Sequence, residues 1–170
     1  DRHETNPNED DLKRFTLGTY QKGTFDAIEY ESEISYQGGT LRGRDISAFL
    51  LSGNLGYSPA SSVLNKIVAG GDYLSGTSAG DANYTSFDPM YHTGHKFYGF
   101  MDYFINIPDN TGNRGLIDLY VKTALKVSDQ ADVSLWLHQM TLAQDVGGEK
   151  GLGQEIDLTA LYRYNKAVKF

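Results

Sequence analysis

Thr24-Phe25-Asp26-Ala27-Ile28-Glu29-Tyr30-Glu31-Ser32-Glu33-Ile34-Ser35-Tyr36-Gln37 is the stretch whose pattern decides the fold class. Ile28, Tyr30, Ile34 and Tyr36 share one parity with Ser32, and Glu29, Glu31, Glu33 and Ser35 share the other. A helix of 3.6 residues per turn would scatter those glutamates around its axis. Period two means a strand with one apolar and one charged face.

The pattern recurs outward along the chain. In 155–165, Ile156, Leu158, Ala160, Tyr162 and Tyr164 alternate with Glu155, Asp157, Thr159, Leu161, Arg163 and Asn165. In 115–128, Ile117, Leu119, Val121, Thr123, Leu125 and Val127 alternate with Asp118, Tyr120, Lys122, Ala124 and Lys126. Weaker alternation runs over 12–21, 45–57, 63–74 and 131–143, and a further start appears at 167–170. The first eleven residues are polar and read as a loop or frayed end. The expectation is all-β: about seven full strands, most of them about 10–14 residues long. Soluble strands run nearer five or six, whereas a tilted transmembrane strand needs about 9–11.

The expected connections alternate in length. Residues 22–23, 58–62, 128–130 and 165–166 read as tight, and 38–44, 75–114 and 144–152 as longer. That is the signature of an up-and-down transmembrane β-barrel, with turns at one rim and loops at the other. The segment 75–114 is too long for a hairpin loop. Being rich in Gly, Asp, Tyr and His, it is expected to be an ordered loop that folds over or into the lumen.

Composition agrees. The 170 residues are 39% hydrophobic yet include 12 Tyr and 19 Gly, a mix suited to strands and turns. Cysteine is absent, which excludes disulfides, thiol catalysis and Cys-based metal sites. A net charge of −7 argues against a nucleic-acid partner. No apolar run suffices for a membrane helix, a criterion that does not bear on barrels.

Charge assigns the two faces. Glu29, Glu31, Glu33, Asp118, Lys122, Glu155, Asp157 and Arg163 lie mid-strand on the polar parity, joined by Arg14, Lys66 and Asp72. A Lys or Arg at the lipid midplane costs about 2–4 kcal/mol, so this face is expected to line an aqueous pore. The Ile, Leu, Val, Ala and Phe face would meet lipid. Tyr30, Tyr36, Tyr57, Tyr73, Tyr162 and Tyr164 are candidates for interfacial girdles. Leu135-Trp136-Leu137 is apolar on both parities, so Trp136 either faces the lumen or marks a bulge. A soluble antiparallel sheet with one wet face gives the same alternation, and strand length and connection pattern weigh against it.

With the strands placed, the chain resembles the alginate-export family of outer-membrane β-barrels. The blocks are Arg14-Phe15-Thr16-Leu17-Gly18, residues 30–37 with Gly43-Arg44-Asp45-Ile46-Ser47-Ala48, Gly71-Asp72-Tyr73-Leu74-Ser75-Gly76, and Gly153-Gln154-Glu155-Ile156-Asp157-Leu158. The most specific block is Thr85-Ser86-Phe87-Asp88-Pro89-Met90-Tyr91-His92-Thr93-Gly94-His95-Lys96-Phe97-Tyr98-Gly99. The resemblance spans nearly the whole chain. It implies an outer-membrane channel, in some members a conduit for an anionic polysaccharide. It also implies that the chain is the C-terminal part of a barrel of roughly eighteen strands, within the range such barrels span. A strand just beginning at Phe170 leads to the same expectation, since a short stub does not close a barrel. A polyanion channel should have a basic lumen, whereas the Glu29, Glu31 and Glu33 stripe is acidic, so the family's substrate is not carried over. Sidedness is open: short turns mark the periplasmic rim, but a final strand ending in the periplasm would put 165–166 outside.

Several residue sets invite chemistry. His92 and His95, with Asp88 and Asp102, suggest a metal or catalytic cluster, set against ordinary loop hydrogen bonding. Asp72, Asp81 and Asp88 near Gly76 and Gly80 offer oxygen ligands for Ca²⁺, the one cofactor considered, without EF-hand spacing. Glu155 and Asp157 share a strand face about 7 Å apart, a separation glycosidase carboxylates also use, but they read as solvated lumen lining. Ser134, His138 and Asp132 form a triad on paper. Gly70-Gly71 and Gly147-Gly148 read as bulge or loop glycines, with no helix following to cradle phosphate.

The expected function is therefore a non-enzymatic, porin-like channel of the bacterial outer membrane passing a polar or charged solute. Its partners would be lipid, the solute and other envelope proteins. The alternatives are an enzyme on the same barrel scaffold, or a soluble β-sandwich binding carbohydrate or protein.

Overall fold

A computed structural model describes residues 11–60, 63–90, 92, 94–165 and 168–169. Seven strands form one antiparallel sheet in simple sequence order: β1 (Leu12–Phe25), β2 (Ile28–Leu41), β3 (Arg44–Tyr57), β4 (Leu64–Leu74), β5 (Leu116–Lys126), β6 (Ala131–Val146) and β7 (Glu149–Tyr162). β1 and β7 are its two edges and do not pair with each other, so the sheet is an open meander. Strands of 11 to 16 residues are as long as the alternation predicts or, for β6, longer. The expected polar start at residues 1–10, positions 167 and 170 of the strand start at 167–170, and parts of the turns at 58–62 and 165–166 lie outside the described residues.

Three expected connections are corrected. β1 runs through Lys22-Gly23 to Phe25, and the turn is Asp26-Ala27, closed by the Phe25–Ile28 pair. Asp26 takes φ 49°, a left-handed value that Asp tolerates. The stretch 24–37 therefore straddles a hairpin and is not one strand. Residues 38–44 are not a loop, because β2 continues to Leu41 and turns at Arg42-Gly43 with φ 50° and 77°. Residues 144–152 likewise reduce to Gly147-Gly148, with φ 64° and 90°. Two successive positive φ values match the right-handed twist of paired strands, which is why two residues suffice. Gly38-Gly39 and Gly151 to Gly153 look like loop breakers in sequence but lie within strands.

Short turns consequently occupy both rims. The rim with Arg42-Gly43 and Gly147-Gly148 also carries the one long connection, residues 75–115. This segment contains two single-turn helices, α1 (Gly94–Phe97) and α2 (Ile107–Asn110). Within it Tyr84 forms an isolated parallel bridge to Ile46, with backbone bonds Ser47 N–H to Tyr84 O at 2.9 Å and Tyr84 N–H to Asp45 O at 2.8 Å. It then crosses the inner face of the sheet.

That crossing makes the core. Ile46, Ala48, Leu50, Leu74, Leu116 and Met140 of the sheet pack with Tyr84, Phe87, Tyr98, Phe104 and Ile107 of the connection. These sheet residues lie on the parity expected to be polar. The inner face is thus apolar near the long-connection rim and charged farther along the strands, and the connection covers part of both.

Candidate functional site

The strand register collects the predicted polar residues on one face. Glu33, Ser52, Asp72 and Asp118 form one row across β2–β5, and Glu31, Asn54, Gly70, Tyr120, His138 and Glu155 form the next across β2–β7. Glu29, Gly56, Val68, Lys122, Trp136 and Asp157 form a third. All eleven expected pore-lining residues fall on this parity, Arg14 on β1 and Arg163 just past β7 included. Trp136 belongs to it too. The β5–β6 register is unbroken there, and its ring meets Phe100 of the long connection at 4.9 Å. There is no bulge at this position.

The charges do not stand free. Lys22 pairs with Glu31 at 2.7 Å, and Arg163 with Asp132. Lys66 on β4 reaches Glu29 on β2 at 2.7 Å, passing over β3 at Gly56. A Cβ on Gly56 would lie 2.9 Å from Lys66 Cε, so a larger residue there would push the lysine side chain aside. Lys122 Nζ sits 4.2 Å from the ring centres of both Tyr120 and Trp136, a cation–π clasp. Glu33 accepts from Ser35 Oγ at 2.8 Å, and Asp72 from Ser52 Oγ at 2.6 Å.

The deepest polar cluster lies on β5–β7. His138 Nδ1 is 2.8 Å from Asp118 Oδ2, and both side chains are fully buried. Nδ1–H donates to this carboxylate. Nε2 stops 4.0 Å from Asp157 Oδ2, beyond hydrogen-bond reach, and has no other partner. The connection seals this cluster with its backbone. Met101 N–H donates to Glu155 Oε1 at 2.8 Å, and Phe100 N–H to Asp157 Oδ2 at 3.4 Å. Gly99 makes the approach possible: its φ is +88°, and a Cβ there would lie 2.4 Å from the Glu155 carboxyl. Burial, with the charges of Asp72, Asp118 and Glu33 adding to it, holds the Tyr98 phenol well above its ordinary range.

On the other flank the connection is pinned to β1 and β2. Asp88 Oδ2 meets Arg14 Nη1 at 2.6 Å. The backbone of Asp88 is held on both sides by Gln37, which donates to its carbonyl at 2.7 Å and accepts from its N–H at 3.0 Å. Between these anchors lies a cavity of about 530 Å³, walled by Arg14, Glu33, Asp72, His92, Phe97 and Tyr98 among others.

The predicted chemical sets are not assembled. His95 pairs with exposed Asp102 at 3.1 Å, His92 Nδ1 donates to Pro89 O at 3.0 Å, and Asp88 goes to Arg14. Asp81 accepts from Ser78 N–H within its own turn, far in bonding terms from Asp72 and Asp88. Asp132 binds Arg163 and His138 binds Asp118, so Ser134 has no relay. Glu155 and Asp157 anchor the connection. Among the described residues no three His, Asp or Glu side chains converge as a metal-binding group. Sequence reasoning missed Lys22, Gln37 and the pairing of Asp118 with His138. Strand parity does carry that last signal once the β5–β6 register is known.

The other face of the sheet is lined with exposed apolar side chains. Leu17, Leu55, Ile156 and Leu158 are each at least 61% exposed, and Phe15, Ile34 and Leu119 more than half exposed. Tyr30 and Ile34 are uncovered, so no second protein layer lies on this face among the described residues. Aromatics gather toward both of its ends. Phe15–Tyr36 and Phe49–Tyr73 approach within 6.3 and 5.5 Å on one side, and Phe25, Tyr30, Tyr57 and Tyr162 lie near the other rim. Phe49 and Tyr57 are about 27 Å apart along β3 at about 3.4 Å per residue. Compared with known protein families and with curated proteins, the chain matches none.

Proposed function

We propose that this chain is part of the wall of a bacterial outer-membrane β-barrel channel, with residues 75–115 lying along the luminal face. One observation carries the reading. A long-stranded antiparallel sheet leaves its large apolar side chains bare on one whole face, while the charges lie on the face that the connection covers. In water such an apolar face would be a severe liability, and in a bilayer it is the solvated surface. A soluble sandwich would bury it under a second sheet. The open edges at β1 and β7 call for further strands, which accords with the alginate-export resemblance and a barrel of roughly eighteen strands. Lipid is then the outer partner and a polar solute the inner one.

Transport in this reading is passive, with selectivity set by lumen width and lining charge. Glu29, Glu31 and Glu33 favour cations or neutral solutes over a polyanion. The test is single-channel conductance of the complete barrel in planar bilayers. Neutralising all three glutamates to Gln is expected to reduce cation preference in the reversal potential, and an unchanged reversal potential removes these residues from the lining.

A further inference from the structure

We infer that the cavity between the long connection and β1–β4 is a binding site for an uncharged polyhydroxylated solute, a neutral sugar unit. This deepens the channel reading and rests on it. The volume of about 530 Å³ lies within the range of small-molecule sites, about 300–1,000 Å³.

The lining offers both hydrogen-bonding roles. Arg14 has 8% of its side chain exposed, and its Nε–H is buried without a partner, so it can donate. His92 donates through Nδ1 to Pro89 O, which in the neutral ring leaves Nε2 an acceptor, also buried without a partner. Glu33 and Asp72 add carboxylate oxygens. A ligand that meets all four needs groups that both donate and accept, and hydroxyls do this. Phe97 and Tyr98 supply an apolar wall for the C–H face of a ring.

Charge selects further. The Arg14 cation is already matched by Asp88, which leaves Glu33 and Asp72 as the carboxylates of the lining without a direct ion pair. A carboxylate-bearing sugar would meet like charge at close range. The site therefore rejects uronates and takes their neutral counterparts.

Galactose, galacturonate and galactosamine make a matched probe set. Each is titrated calorimetrically into the complete chain in detergent. Galactose is expected to bind, and galacturonate at least about tenfold more weakly, a difference of about 1.4 kcal/mol. Glu33→Gln keeps the acceptor for Ser35 and is expected to narrow that gap, and Asp72→Asn to weaken galactose. Equal binding of galacturonate and galactose overturns the proposal, as does binding of galactosamine alone. Conductance separates the two readings. A barrel that conducts ions but binds no sugar loses only this site. A chain that binds galactose yet never inserts in bilayers keeps the site and loses the channel.

Discussion

Arg14 on β1 and Asp88 in the long connection meet at 2.6 Å across 74 positions of sequence, with side chains 8% and 15% exposed. The pair ties the first strand to a segment that begins only after the fourth, so it sets where the connection crosses the inner face. Removing one partner of such a pair leaves the other charge buried, at about 3–5 kcal/mol. Arg14→Ala is expected to destabilise the fold by about 3 kcal/mol and to speed protease cleavage within 75–115. Asp88→Asn, which keeps both backbone bonds to Gln37, should cost less. Denaturant unfolding with limited proteolysis measures both, and a connection as protected in Arg14→Ala as in the parent chain contradicts the anchoring role.

The Asp118–His138 pair makes a sharper demand, because both side chains are fully buried. Asp118→Leu and His138→Leu are each expected to lose about 3 kcal/mol, while the double substitution Asp118→Leu with His138→Leu recovers much of it. A double-mutant cycle reads the coupling. Additive losses would mean that the two groups act independently.

Gly99 lets the backbone of Phe100 and Met101 reach the carboxylates of β7. Gly99→Ala combines a strained φ of +88° with a Cβ placed 2.4 Å from Glu155, at about 1–3 kcal/mol for the backbone alone. Hydrogen exchange of the Met101 amide is the direct readout, and exchange should accelerate. Undiminished protection there sinks the prediction.

The lipid reading is tested on Ile156, which is 71% exposed at the middle of β7. In water Ile156→Lys should be nearly neutral. In lipid it is expected to cost about 2–4 kcal/mol. Folding into vesicles, compared with Thr159→Lys on the opposite parity, distinguishes the cases, and equal effects at both positions favour a soluble sheet.

Tyr98 gives a pH prediction. Its folded pKa is raised, first by burial and then by Asp72, Asp118 and Glu33. The stabilisation it contributes is thus complete below the unfolded phenol value of about 10 and is lost as pH rises toward the folded value. Ultraviolet phenolate titration should find late-ionising tyrosines, Tyr84 among them, one fewer of them in Tyr98→Phe, which should also lose part of the alkaline fall in stability.

Alternation alone placed the eleven charged residues on one parity and found the seven strands without their true ends, because a side-chain period of two survives without tertiary context. Turn positions were less legible. Asp26-Ala27 carries weak turn chemistry, and the in-strand glycines at 38 and 39 imitate a loop. Whether a glycine turns or pairs depends on the neighbouring strand, which local sequence does not contain.

The sequence by itself determined an all-β chain with an apolar face, a charged face and one long ordered connection. Those features follow from parity, strand length and turn composition, all local properties. Only the tertiary structure decided that the connection buries its own apolar core against the inner face, that Lys66 crosses β3 at Gly56, and that His138 is partnered by Asp118 and not Asp132. Each of these is a contact between distant residues set by strand register, and register is a property of the assembled sheet.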